Sequence, residues 1–452
     1  MTATLEQRPP ASGGTRARAQ RGVKRAARRR GLATPRAMLA LLTALVLLAL
    51  AWGAFGGWVA SVHSSAASAM ATVDEPLSLD AQQLYESIAD ADVTATTMFL
   101  ASSQPSLASL RVYQGDIATA AAQLSTLRAA GGQNRATGAA LATLGADLPV
   151  YSGYVAQARS AYALGYPLTG GSFVQVASEE AHLDLLPAAK TVFDQENDVL
   201  AAASGQATGL PLVVVALVLA IITGVVLYRA QRWLTRRTNR MLNVGLVLAS
   251  ALLVISAVWL LVGFLGGRSD LETGIGHGSQ PAEQLAQASI DVQRIRGDAV
   301  LNVISRSGDA SFQSDFTTIS GEVGPGHLSL LGAAAAGQRS GTAGATLVAA
   351  AEREASSWYT ANAEVYRLGT AADYAGERAK VIGTGADSSA AGYDQLELDL
   401  THAISDDQSA FRTAVSSGSA ALNPVEPVVI IASLLMALGC WWGLRRRLAE
   451  YR

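Results

Sequence analysis

Residues 37–60 read AMLALLTALVLLALAWGAFGGWVA, 24 positions without one charged side chain. About 20 apolar residues cross the hydrocarbon core of a bilayer, so this stretch reads as a membrane span. Three more stretches have the same character: Leu210–Tyr228, Met241–Gly266 and Pro427–Leu444. Ala67-Ser68-Ala69 and Ala69-Met70-Ala71 resemble signal-peptidase sites, but the apolar run before them is longer than a signal core, so the span is expected to stay.

Charge sorts the remaining chain. Net charge is −2, yet residues 1–36 hold 10 Lys or Arg against Glu6, residues 229–240 hold 5 Arg and no acid, and residues 445–452 hold 4 Arg against Glu450. The two long blocks are acidic: residues 61–209 carry 5 basic and 14 acidic side chains, residues 267–426 carry 10 and 20. Short loops rich in Lys and Arg stay in the cytoplasm during insertion, whereas long domains cross largely regardless of charge. The expected order is a basic cytoplasmic tail (1–36), span one (37–60), an extracytoplasmic block (61–209), span two (210–228), a basic cytoplasmic loop (229–240), span three (241–266), a second extracytoplasmic block (267–426), span four (427–444) and a cytoplasmic tail (445–452). This places a multi-pass protein in a bacterial plasma membrane with both termini inside. The arginines read as a topology signal and a surface for anionic lipid, not for nucleic acid. The single cysteine, Cys440, lies in span four, so no intrachain disulfide joins the blocks.

The halves echo each other at a spacing of 201 residues. Trp58 corresponds to Trp259, Ala81-Gln82-Gln83-Leu84 to Ala282-Glu283-Gln284-Leu285, Asp90 to Asp291 and Leu100 to Leu301. Each half is one unit of span, outer block and returning span, an internal duplication. Small residues at Gly53/Gly57, Gly263/Gly267 and Gly439/Gly443 have the spacing that lets spans approach closely.

Both blocks lack strand signals and read as helices. Leu77, Ala81, Leu84, Ile88, Ala91 and Ala95 keep a helical stripe within Pro76–Ser102. Further helices are expected over 105–130, stopped by Gly131-Gly132, over 135–164, and over 173–203 after a loop with Tyr166-Pro167 and Gly170-Gly171. Pro187 should kink or split the last one. In the second block the helices fall over 280–306, 310–323, 343–369 and 389–415, with Gly324-Pro325-Gly326 ending the second. The expected fold is an all-α membrane protein with four transmembrane helices and two tandem extracytoplasmic four-helix bundles.

Catalytic patterns are missing. There is no phosphate-binding glycine loop and no nucleophile elbow, and the five histidines (His63, His182, His277, His327, His402) have no metal-binding partner at i+3 or i+4. The chain is expected to be no enzyme and to need no cofactor or metal. Glu179-Glu180 and Asp406-Asp407 read as solvated pairs. Transport is disfavoured because the spans hold no ionisable residue. Arg111, Arg294 and Arg296 are candidate grips for a small anion, since Arg forks onto carboxylates, although salt bridges are the plainer reading. Tyr162, Tyr166, Trp358, Tyr359, Tyr366 and Tyr374 read as packing or interface residues rather than a ligand cage.

Only short pieces face inward, so any signal must pass to a separate partner. Arg229, Arg232, Arg236, Arg237, Arg445, Arg446 and Arg447 form the expected docking surface for it. The layout resembles two-span receptors with helical-bundle outer domains, such as chemoreceptors, with one chain supplying both copies. It is similar to the actinobacterial GlnX-type four-span membrane proteins, with their two outer helical blocks. That resemblance implies an extracytoplasmic solute-binding lipoprotein and a cytoplasmic Ser/Thr protein kinase as partners, and amino-acid availability as the cue; no ligand residue carries over. The alternative is an envelope scaffold without ligand sensing. Gly205, Gly209, Pro211, Pro424 and Pro427 are expected to interrupt helices between blocks and spans.

Overall fold

The computed structural model describes the backbone of residues 14–101, 105–130, 135–238, 244–305, 310–324 and 329–449, with side chains from Met38 to Arg445 except those beside the breaks. The expected stop at Gly131-Gly132, Pro325 and Gly326 of the second glycine–proline break, and the side chains of Arg237, Arg446 and Arg447 lie outside the described residues. The described chain is helical throughout: α1 (Gly14–Ala69), α2 (Glu75–Ala101), α3 (Leu107–Ala129), α4 (Arg135–Ala163), α5 (Pro167–Glu180), α6 (Leu186–Thr208), α7 (Pro211–Thr238), α8 (Val244–Gly274), α9 (Gln280–Ser305), α10 (Ala310–Val323), α11 (Leu330–Gly337), α12 (Ala343–Thr370), α13 (Tyr374–Ile382), α14 (Ser389–Leu422) and α15 (Val425–Ala449). Two compact units emerge, one from 1–62, 210–265 and 421–452, the other from 63–209 and 266–420.

In the first unit, four helices are long and apolar enough to cross a membrane. Leu45, Trp52, Val213, Leu246, Leu253 and Met436 fill its centre, while Leu47, Val218, Ile221, Val254 and Leu435 remain exposed. Apolar residues on both the inner and outer faces suit a lipid solvent. Small residues make the contacts that their spacing suggested. Gly53 lies against Ser433, Gly57 against Ile430, and Gly263 against Val425. Gly245 of α8 meets the backbone of Gly439 and Gly443 on α15. Polar contacts add to this: Trp52 Nε1 donates to Ser256 Oγ at 3.1 Å, and Gln231 Nε2 donates to the Leu246 carbonyl and to Ser250 Oγ, both at 3.0 Å. A Cβ at Gly245 would lie 2.8 Å from Gly443 Cα, whereas one at Gly224 would meet only Leu253 Cδ2 at 3.6 Å. Gly245→Ala should therefore cost about 2 kcal/mol and lower the thermal midpoint of the solubilised protein, with Gly224→Ala nearly neutral.

In the second unit, 63–209 and 266–420 share one core instead of building two separate bundles. Leu84, Leu144, Tyr151 and Phe193 belong to the same buried cluster as Leu285, Ile295, Trp358 and Leu396. The reason lies in α2 and α9, which pack together while α2 also holds α3 and α6, and α9 holds α10 and α11. The stripe expected on α2 is thus too narrow: Tyr85, Ala89, Asp92, Thr96 and Phe99 are buried as well. Burial recurs at the 201-residue spacing, with 84/285, 85/286, 88/289, 91/292, 92/293 and 95/296 all buried in pairs.

Three π-helical turns, Met70–Asp74, Ala181–Leu185 and Ile275–Ser279, share one cause. Each ends two residues before a proline: Pro76, Pro187 and Pro281. Proline cannot donate to the carbonyl four residues back, and its ring crowds that carbonyl. The preceding residue reaches one position further instead, as Glu75 N–H does to Met70 O, Leu186 N–H to Ala181 O and Gln280 N–H to Ile275 O. Helical bonding therefore continues from α1 into α2 and from α8 into α9, and Pro76 does not start a helix. Breaks do occur at Gly209–Leu210 and Asn423–Pro424. Gly170 and Gly171, expected in a loop, lie inside α5, where Gly170 gives room to the Tyr162 ring. The short helices α11 and α13 were not anticipated.

Candidate functional site

The seam between α2 and α9 concentrates ionisable groups inside the second unit. Halfway along α2, Glu86 and Asp90 approach Asp116 of α3 and Tyr393 and Glu397 of α14. Burial, followed by the charges of Glu397, Asp116 and Glu86, pushes Asp90 up to about 8. Burial and the charge of Glu86 raise Glu397 to about 7, and burial raises Asp116 to about 6. Near neutral pH this group holds protons that exposed carboxyls would have lost.

Two residues along α2 from Asp90, at Asp92, His182 bridges the halves. Its Nε2 lies 3.3 Å from Asp92 Oδ2 on α2, and its Nδ1 lies 3.7 Å from Asp298 Oδ1 on α9. Ser178 Oγ donates to Asp92 Oδ2 at 2.7 Å. Burial alone would lower the His182 pKa, but the bond to Asp92 and the charges of Asp92 and Asp298 outweigh it and raise it. Asp298 is held up at about 6 by burial, against the pull of His182. A Cβ at Gly297 would stand 3.0 Å from the His182 ring, so glycine there admits the imidazole. Sequence spacing could not reveal this bridge, because the partners lie on three separate elements.

At the end of the seam beside two of the π turns, a cleft of about 130 Å³ opens between α2, α6, α9 and α14. Ser78 and Gln82 line it from one half, Ser279 and Glu283 from the other. Glu75 closes one side, with Oε1 accepting from Arg412 Nε at 2.7 Å. Ser78 Oγ donates to Asn197 Oδ1 at 2.5 Å. At the other end, a wider cleft of about 680 Å³ is lined by Phe99, Tyr162, Val303 and Arg378.

The three arginines proposed as anion grips do not converge. Arg111 is exposed on α3. Arg294 is half exposed and pairs with Asp315 at 2.8 Å. Arg296, two positions on and so on another face of the helix, is buried; its Nη1 donates to Val381 O at 2.7 Å, and its guanidinium stands 5.6 Å from the Tyr393 ring centre. Burial lowers its pKa. Of the basic surface expected to meet a partner, Arg229, Arg232, Arg236 and Arg445 are exposed, with Arg445 over the Trp441 ring at 4.7 Å. The aromatic residues pack separately: Tyr162 stacks on Phe99, and Trp358 is buried with Nε1 donating to Ser389 O at 3.0 Å. Asp407, expected in water, is buried and accepts from Gln338 Nε2 at 2.8 Å through both oxygens. Among the described residues no group of three or more His, Cys, Asp or Glu is placed to hold a metal ion.

The family described as actinobacterial sensor domain has a model that matches residues 66–205. This stretch contributes Glu86, Asp90, Asp92, Asp116 and His182, one side of the seam. No curated protein and no solved structure gives a significant match to the chain.

Proposed function

We propose that this protein is a transmembrane sensor that receives an extracytoplasmic cue through the second unit and passes it to a separate cytoplasmic partner. The observation that carries the reading is the sensor-domain match over 66–205 in a chain with four helices fit to span a membrane. The seam adds a physical reason. Buried carboxyls and a buried histidine bridge cost stability, a cost that a responsive element explains better than a scaffold does. A cue that changes the charge of these groups would bias the packing around them.

In the finer reading, 61–209 and 267–426 lie outside the plasma membrane as products of one duplication, and both termini lie inside. As in the GlnX-type proteins, a solute-binding lipoprotein reporting amino-acid availability would dock outside, and a Ser/Thr protein kinase would dock on the inner arginines. The test is affinity capture of the solubilised chain, as wild type and with Gln at Arg229, Arg232, Arg236, Arg237, Arg445, Arg446 and Arg447. The wild type should recover both partners, and the substituted chain, still inserted, should keep the lipoprotein and lose the kinase. Recovery of neither partner from wild type would overturn the reading. Full retention of outer partners with no kinase in either sample would favour a scaffold.

A further inference from the structure

We propose that the cleft between the starts of α2 and α9 binds a small organic ammonium compound, held by Glu75, Glu283 and neighbouring amide and hydroxyl oxygens. The proposal deepens the sensor reading by giving it a ligand class and a seat.

The cleft lining offers several hydrogen-bond acceptors. Gln82 uses one of its two amide N–H groups on Glu86 Oε1 at 2.8 Å, and its carbonyl oxygen is open to a donor. Ser78 has given its proton to Asn197. Glu75 is only 4 % exposed, and while Oε1 takes Arg412, its Oε2 is buried without a hydrogen-bond partner. A buried carboxylate oxygen without a donor costs free energy that an ammonium N–H would recover. Arg412 balances Glu75, but no basic side chain lines the cleft beside Glu283, whose pKa is raised by burial and then by the negative charges of Asp198 and Asp194. The electrostatic balance of the cleft therefore calls for a cation.

The apolar part of the wall decides what kind. Met70, Phe193, Ile275 and Phe411 line the same space. They leave no room for the hydration shell of a bare metal ion but suit a short methylene chain. About 130 Å³ is space for a molecule of roughly six to ten non-hydrogen atoms. Because Met70 and Ile275 belong to π turns, an occupant would touch both of the helical stretches that carry α1 into α2 and α8 into α9.

The test is titration of the full chain in detergent or nanodiscs with 1,4-diaminobutane, followed by calorimetry and thermal shift. One equivalent should bind saturably and raise the thermal midpoint. Glu283→Gln, at an exposed position that leaves the Glu75–Arg412 pair in place, should weaken binding about tenfold or more. Uncharged 1,4-butanediol and the dianion glutarate should not bind. No heat and no shift with the diamine, an equal shift from sodium chloride at matched ionic strength, tighter binding of glutarate, or unchanged affinity in Glu283→Gln would each overturn the proposal. Failure here together with successful capture of a lipoprotein and kinase would leave the sensor reading standing with its cue arriving through the lipoprotein alone.

Discussion

Raising the pH from 6 to 8.5 should lower the thermal midpoint of the solubilised protein, and Asp90→Asn should remove much of that loss. Asp90 at about 8 and Glu397 at about 7 lie above the values of 3.8 and 4.5 that free carboxyls show. A group whose folded pKa is raised stabilises fully below its unfolded pKa, and that contribution fades as pH climbs through the folded value. Asp116, Asp291, Asp298 and Asp407, each near 6, begin the decline, and the Asp90 and Glu397 pair extends it to about pH 8. Asparagine keeps the shape of Asp90 and never ionises. It should gain about 1–3 kcal/mol at pH 8.5 and change little at pH 5. Melting followed by circular dichroism at both pH values checks this. Equal wild-type midpoints at pH 6 and 8.5 would mean that the carboxyls are hydrated and not held in the core.

His182→Leu should be the most damaging single change in the seam at pH 6, costing about 3 kcal/mol. It strips Asp92 and Asp298 of the cation between them, leaving Asp92 with the Ser178 hydroxyl at 2.7 Å. The raised His182 pKa means that its stabilisation is complete below 6.5 and fades as pH rises through the folded value. The penalty should therefore shrink between pH 6 and 8.5. Replacing Asp298 by Leu in the same chain should recover part of the loss, since no charge is then buried alone on α9. If the double variant is no more stable than the sum of the two single ones, the contact across the seam carries no coupling.

The spans and most helices were legible because their signals are local. Unbroken apolar runs gave the former, and for the latter periodic Leu and Ala ended by Gly or Pro placed α3, α4, α10 and α12 within a few residues. The proline turns were harder. Pro76 looks like a first helical residue, and only the bond from Glu75 N–H to Met70 O shows that the helix widens and continues. Helix α11 is a run of eight residues, Leu330–Gly337, too short for a period to be read. The seam was illegible for a different reason. His182 sits 90 residues from Asp92 and 116 from Asp298, and the Asp407 that Gln338 covers looks like any surface acid. Such groups acquire meaning only when the chain has folded back on itself. The arginines illustrate the same point from the other side: Arg294 and Arg296 are neighbours in sequence, yet one faces Asp315 and the other is buried against Tyr393.

The seam also differs across its own middle. At the 201-residue spacing Glu86 answers to Gln287, Asp92 to Gln293 and Ala95 to Arg296. Two identical chains meeting along such a surface would offer a pair of equal seats, with the cooperative or half-occupied dose curves that symmetry allows. Here both sides of the seam come from one polypeptide and carry unequal residues, so the proposed ligand would have a single seat. A response read there would be hyperbolic, with a Hill coefficient of about 1 and one equivalent consumed per chain, graded with supply instead of switching at a threshold.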